Sequence, residues 1–141
     1  LSIIQDILTH APSEVYDILN NILDAFSKQV KHSNRIDINK VIEYLQENFT
    51  RDLSVEIVAE LFGTSAKYLS RKFKDTVGVY FSKYLLQLRL EHAKMLLVST
   101  KKSIDEVLVE SGFNNRSTFI RAFKNYTGNT PGKWRELNAK Q

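Results

Sequence analysis

The chain has 141 residues, 43% of them hydrophobic, and a formal net charge of +4, enough apolar material for one or two small cored domains. It has no cysteine, which excludes disulfides, thiolate metal sites and cysteine catalysis and allows a reducing, cytoplasmic setting. No apolar run approaches the roughly 18–20 residues of a membrane span, and no signal peptide is present. Leu1 opens the chain without a methionine, which predicts an upstream part. The charge is uneven: residues 1–50 hold 4 basic and 7 acidic side chains, residues 51–141 hold 16 and 9. A basic half fits a polyanion partner, and a solvated charged surface equally well.

Residues 2–10 (SIIQDILTH) have a helical pattern that Ala11-Pro12 interrupts. From Ser13, an N-cap candidate, Val15, Ile18, Leu19, Ile22, Leu23, Phe26 and Val30 make one broad helical stripe. Such a stripe must be buried against this chain's own core, a second copy of the chain (a homodimer through residues 13–30) or an upstream part. The polar run 31–36 (KHSNRI) reads as a linker. Asp37 then caps a helix with Ile38, Val41, Ile42 and Leu45 on one face, ending near Asn48.

A repeated unit follows. Residues 54–78 read SVEIVAELFGTSAKYLSRKFKDTVG, and residues 103–128 read SIDEVLVESGFNNRSTFIRAFKNYTG. Ser54 and Gly63 match Ser103 and Gly112, while Arg71, Phe73, Lys74 and Gly78 match Arg121, Phe123, Lys124 and Gly128 with the register slipped by one. A slip confined to a turn marks a repeated structural unit, and each copy reads as helix, Gly-containing turn, helix. In the first copy Ser54 and Ser65 are the caps, Val55, Val58, Ala59, Phe62, Ala66, Leu69 and Phe73 face inward, and Gly63 makes the turn. Lys67, Ser70, Arg71 and Lys74 form the opposite stripe, the pattern a helix presents to a DNA major groove.

Residues 81–98 form a long helix with Phe81, Tyr84, Leu85, Leu88, Met95 and Leu96 at helical spacing, a spacer between the copies. In the second copy Ser103 and Glu106 have capping-box spacing, Asn115 caps the second helix, and Phe119 and Phe123 face inward. Ser117, Ile120, Arg121 and Lys124 make its outer stripe, flanked by Arg116. Thr130 and Pro131 start a last short helix to Leu137. Trp134 lies as far beyond its unit as Tyr84 beyond the first, so an aromatic ring closes each.

Taken together, SAKYLSRKFKDTVG, YLLQLRLEHAKMLL, SGFNNRSTFIRAFKNYTG and TPGKWR resemble the DNA-binding domain of the AraC/XylS family of bacterial transcription regulators over about residues 36–137. The resemblance implies an all-α fold of two helix-turn-helix subdomains joined by a long linker helix. A helical segment over residues 1–35 would precede a DNA-binding domain over residues 36–141. It further implies double-stranded DNA as partner, an upstream sensor domain, and activation by recruiting RNA polymerase. Carried over by position, the base-reading candidates are Lys67, Ser70, Arg71, Arg116, Ser117, Ile120 and Arg121. Ser54, Tyr68, Lys74, Ser103 and Lys124 are candidates for phosphate contacts, which position without reading sequence. Two positions depart from the family: Leu108 stands where alanine is usual (Ala59 in the first copy), and Ser111 where an apolar residue is usual (Phe62).

Each of these sites has a plainer alternative. Arg71 and Arg121 suit guanine O6 and N7, but also phosphates or ion pairs. Ile120 could meet a thymine methyl or pack in the core, and Tyr68 could pack at a subdomain edge. A helical protein-interaction module is the rival function. Enzymatic chemistry has little support: His10, His32 and His92 are scattered, the acidic pairs sit in first turns of helices where the dipole accounts for them, and no phosphate-loop glycine pattern occurs. No cofactor, metal or membrane partner is expected.

Overall fold

A computed structural model describes the backbone of residues 13–33 and 35–139 and the side chains of residues 13–26 and 35–139. The expected helix over residues 2–10 and the break at Ala11-Pro12 fall outside the described residues, as does the side chain of Val30. The described residues form eight helices and no strand: α1 (Ser13–Ser33), α2 (Ile38–Asn48), α3 (Val55–Leu61), α4 (Ala66–Val77), α5 (Phe81–Ser99), α6 (Ile104–Glu110), α7 (Arg116–Thr127) and α8 (Pro131–Asn138). The chain divides into two units between Ile36 and Asp37. In the first, α1 runs on to Ser33, so the front half of the expected linker is helical.

Within the second unit the caps are those the side-chain chemistry favours. Asp37, Ser54, Ser65, Asn115 and Thr130 each accept a backbone N–H from the first turn of the helix they precede, satisfying donors that would otherwise be orphaned. Ser103 and Glu106 complete a reciprocal capping box. The repeat is one of structure: α3 and α6 each have 7 residues, and α4 and α7 each have 12. Both turns begin with the same doubly bonded helix ending. Gly63 N–H and Thr64 N–H reach the carbonyls of Glu60 and Ala59, and Gly112 N–H and Phe113 N–H reach those of Val109 and Leu108. The extra residue of the second copy enters after that motif.

Two cores result. Ile38, Val41, Leu45, Val58, Ala59, Leu69, Phe73, Phe81 and Leu85 are buried in the first half. Leu90, Ala93, Leu96, Leu97, Val107, Leu108, Phe113, Phe119 and Phe123 form the second cluster. The closing aromatics are equivalent: Phe73 meets Tyr84 edge-on at 5.4 Å between ring centroids, and Phe123 meets Trp134 at 6.0 Å. The two copies differ in packing at the departures, 108 and 111. In the first copy the aromatic ring sits at the cap position, Phe62. In the second the cap position holds the fully buried Ser111, and Phe113, two residues on, packs in one cluster with Leu108 and lies 4.9 Å from Phe119.

Helix α5 belongs to both cores. Its first half buries Phe81 and Leu85, its second half Leu90, Ala93, Leu96 and Leu97. Five residues turn a helix by about 500°, so the buried face moves round by about 140° between Leu85 and Leu90. The single stripe expected from the sequence therefore fails at Met95, which is 53% exposed. At 19 residues and about 1.5 Å of rise each, α5 is roughly 28 Å long.

Candidate nucleic-acid interface

The second helix of each copy is amphipathic by construction. Leu69 and Phe73 bury one face of α4, and Phe119 and Phe123 bury one face of α7. The faces turned away carry the predicted residues. On α4, Lys67 and Arg71 are exposed, while the half-buried Ser70 opens with Ser54 onto a groove of about 530 Å³ also lined by Tyr80, Ser82 and Arg89. The Arg71 guanidinium stands 5.8 Å from the centroid of the half-buried Tyr68 ring, a contact that restrains the long side chain without using its forked donors. Lys74 is more committed: its Nζ donates to the Gly78 carbonyl at 2.9 Å and lies 4.7 Å from the Tyr80 ring centroid. It thus satisfies a free carbonyl just past the end of its own helix.

On α7 the arrangement differs. Ser117, Arg121 and Lys124 are exposed, whereas Ile120 is half-buried against the second core, the plainer of its two readings, with an edge left accessible. Arg116 is ion-paired to Asp105 on α6. Both side chains are more than half exposed, and such a pair contributes little to stability and opens readily. Arg121 lines a second groove, about 310 Å³, with Lys83, Gln87, Thr118 and Tyr126. Lys83 was not singled out in the sequence because α5 reads as a spacer. Its signal is positional: it lies in the first turn of α5, where the helix dipole disfavours a cation.

The two short-helix N-termini are already occupied in part. The Ser54 hydroxyl accepts the Ile57 N–H at 3.2 Å. At Ser103 the hydroxyl accepts the Glu106 N–H, and the Ser103 amide donates back to the Glu106 carboxylate at 2.8 Å. A carboxylate therefore covers the end of α6, so Ser103 presents less to an incoming anion than Ser54 does.

Three interactions stiffen the helices behind this surface. Arg89 on α5 donates from Nε to the Phe49 carbonyl and from Nη2 to the Arg51 carbonyl, both at 2.8 Å. Burial holds its pKa below the ordinary arginine value while Asp52 opposes the shift, and a guanidinium so placed stays charged. Tyr126 on α7 donates to Glu91 on α5 at 2.6 Å. That bond pushes Tyr126 up to about 12, and the Tyr126 hydroxyl, assisted by Lys94, holds Glu91 below the usual carboxylate value against the effect of burial. Arg135 on α8 donates to the Leu97 carbonyl at 2.9 Å, near the end of α5.

Among the described residues no group of His, Asp and Glu side chains could hold a metal ion. None of the described helices is long and apolar enough to cross a membrane. What the fold defines is a double helix-turn-helix domain with cationic outer faces on both second helices. Residues 58–137 match a helix-turn-helix domain family. The chain is 37% identical over 98 residues to an uncharacterized HTH-type transcriptional regulator of Staphylococcus aureus strain MSSA476, covering 70% of this chain and 13% of that protein. Its fold matches the C-terminal domain of AraT, a response regulator from Geobacillus stearothermophilus, at TM-score 0.72 and 33% identity, over 74% of this chain and 87% of that one. It also matches an AraC-type transcriptional regulator from Chromobacterium violaceum at TM-score 0.64 and 33% identity, over 70% and 88%. The chain belongs to the AraC-type helix-turn-helix family.

Proposed function

We propose that this chain is the sequence-specific DNA-binding part of a bacterial transcription regulator, working without an enzymatic step. The observation that carries the reading is the duplicated unit: two second helices of equal length, each burying an aromatic face and presenting a cationic one, in one compact body. Helices α4 and α7 would enter successive major grooves on one side of the duplex, about one turn (roughly 34 Å) apart. Lys67, Ser70, Arg71, Ser117 and Arg121 would face base edges. Arg116 joins them on leaving Asp105, and Ile120 offers only its exposed edge, to a thymine methyl. Ser54, Lys83 and Lys124 suit phosphates best. Lys74 and Tyr68 back the first recognition helix, and Ser103 chiefly caps α6.

The family supports recruitment of RNA polymerase as an activator, and an upstream sensor part. The exposed apolar face of α1 favours a second copy of the chain as a further partner. The direct test is selection of sites from random duplex DNA at near-physiological salt. Two informative patches about one turn apart are expected. Arg71→Ala should blur one patch at a cost of about 1–3 kcal/mol, and Lys124→Ala should mainly lower the salt slope, by about 0.9. Salt-labile binding with no selected motif would point instead to a protein-interaction module.

A further inference from the structure

Gly63 and Gly112 hold the same place in the two copies, with φ of +69° and +92°, yet their surroundings are opposite. A Cβ added to Gly63 would meet nothing within 4 Å. One added to Gly112 would lie 3.0 Å from the Phe49 carbonyl oxygen, 3.0 Å from Thr50 Cα and 3.1 Å from Arg89 Nε. The turn of the second copy is thus pressed against backbone just past the end of α2, a helix that packs in the first core. Arg89, from the helix the copies share, ties down that same backbone through the carbonyls of Phe49 and Arg51. One helical turn along α5, His92 meets the Phe49 ring edge-on at 5.2 Å. Backbone against backbone, with a two-pronged bond at the seam, resists sliding far better than side chains on flexible stems.

Taking the DNA-binding reading as its basis, we infer that the Gly112–Phe49–Arg89 clasp fixes the separation and angular phase of the two recognition helices, and so the spacing between the two half-sites the domain accepts. Arg89 lines the same groove as Ser70, but its donors are committed to the Phe49 and Arg51 carbonyls, so the clasp works behind the base-reading side chains. It acts on specificity by positioning. Packing of both cores on α5 sets the distance, and the clasp adds a cross-tie that stops α5 twisting or bending between its two buried faces. Adding one base pair between half-sites rotates the second by about 34°, so a rigid domain must reject it and a swinging one tolerates it.

The test uses the full chain and duplexes carrying the selected site, with zero, one or two base pairs inserted or removed between the patches, and reads affinity by fluorescence anisotropy. Wild type should lose about tenfold or more per base pair of change, since it must twist the DNA or give up one patch. Arg89→Gln and Gly112→Ala should both flatten that dependence to less than about threefold, with weaker binding at the best spacing, and Gly112→Ala should leave base preference within each patch unchanged. Gly63→Ala imposes the same backbone strain without touching the seam, and should keep the sharp dependence. Both the glutamine and the alanine variant retaining the wild-type spacing optimum would overturn the clasp, as would equal flattening by Gly63→Ala. If Gly112→Ala fails to fold by circular dichroism, Arg89→Gln decides alone. A wild type that prefers no spacing defeats the clasp only, whereas one that selects no sequence defeats the DNA-binding reading with it.

Discussion

Ser111 is fully buried, and its Oγ has no hydrogen-bond partner. The corresponding cap in the first copy holds the half-buried Phe62, packed on Tyr44. A buried hydroxyl without a partner costs about 1 kcal/mol or more. Ser111→Ala should therefore raise the Tm by several degrees, about 4 °C per kcal/mol or somewhat more for a domain of this size, without altering DNA binding. Differential scanning calorimetry checks it, and a lowered Tm would mean that the hydroxyl has a partner after all. Ile120 makes the complementary case. Its contacts with the second core predict that Ile120→Ala lowers stability by about 1–2 kcal/mol. If binding-site selection then shows one A·T preference relaxed, the accessible edge reads a base as well. The sequence showed that Ile120 sat on the outer stripe, but not how far the neighbouring core reaches round the helix. That depends on how α7 packs against α5, an angle no local pattern encodes.

At the scale of the element, the legible parts were those governed by local chemistry. In the second unit the capping residues, the capping box, the turn glycines and the closing aromatic rings follow from hydrogen bonds and spacings within a few residues and occur where the sequence placed them, whereas Ser13, expected as a cap, is the first helical residue of α1. Helix α5 was legible as a helix but not as a helix with two buried faces, because a single-period pattern averages over the change between Leu85 and Leu90. The ties of Arg89 and Tyr126 join residues 35 to 40 positions apart, beyond any local pattern, and so the clasp was invisible too. The Tyr126–Glu91 bond has a pH signature of its own. Tyr126 is raised to about 12 in the folded chain against about 10 unfolded. Its contribution is therefore complete below pH 10 and lost as the pH rises through 10 to 12. Glu91 is lowered, so its share is present above its unfolded value of about 4.3 and lost as the pH falls below it. Tyr126→Phe should destabilise modestly at pH 7, since the pair is largely exposed, and should remove the wild type's extra loss of stability between pH 10 and 12. Urea titrations across that range would show it, and identical alkaline limbs for the two proteins would rule the bond out as a stabiliser.

For the whole molecule, the exposed apolar face of α1 is the feature that bears on whether one copy or two meets the DNA. Val15, Tyr16, Ile18, Leu19, Ile22, Leu23 and Phe26 are between 36% and 65% exposed. Set in heptads with Leu19 and Phe26 at a and Val15 and Ile22 at d, the e and g positions hold Tyr16, Ile18, Leu23 and Ala25. Positions b, c and f hold Asp17, Asn20, Asn21 and Asp24. The apolar face is thus wider than a two-stranded seam needs, and lacks the e and g charges that would fix a partner. Paired with its own copy it would bury on the order of 1,000 Å² in total, at the lower limit of a specific interface. That predicts a weak dimer in free solution, strengthened on DNA where two adjacent sites hold two copies at high effective concentration. Sedimentation equilibrium should show dimer forming with concentration. Leu19→Asp combined with Ile22→Asp should leave monomer at every concentration, with affinity for a single site unchanged but cooperative filling of two sites lost. A wild type that remains monomeric at several hundred micromolar and fills paired sites independently would exclude a second copy as the cover for this face. The S. aureus relative has some seven-eighths of its length outside the matched region, and a segment of the longer protein would then be the partner to seek.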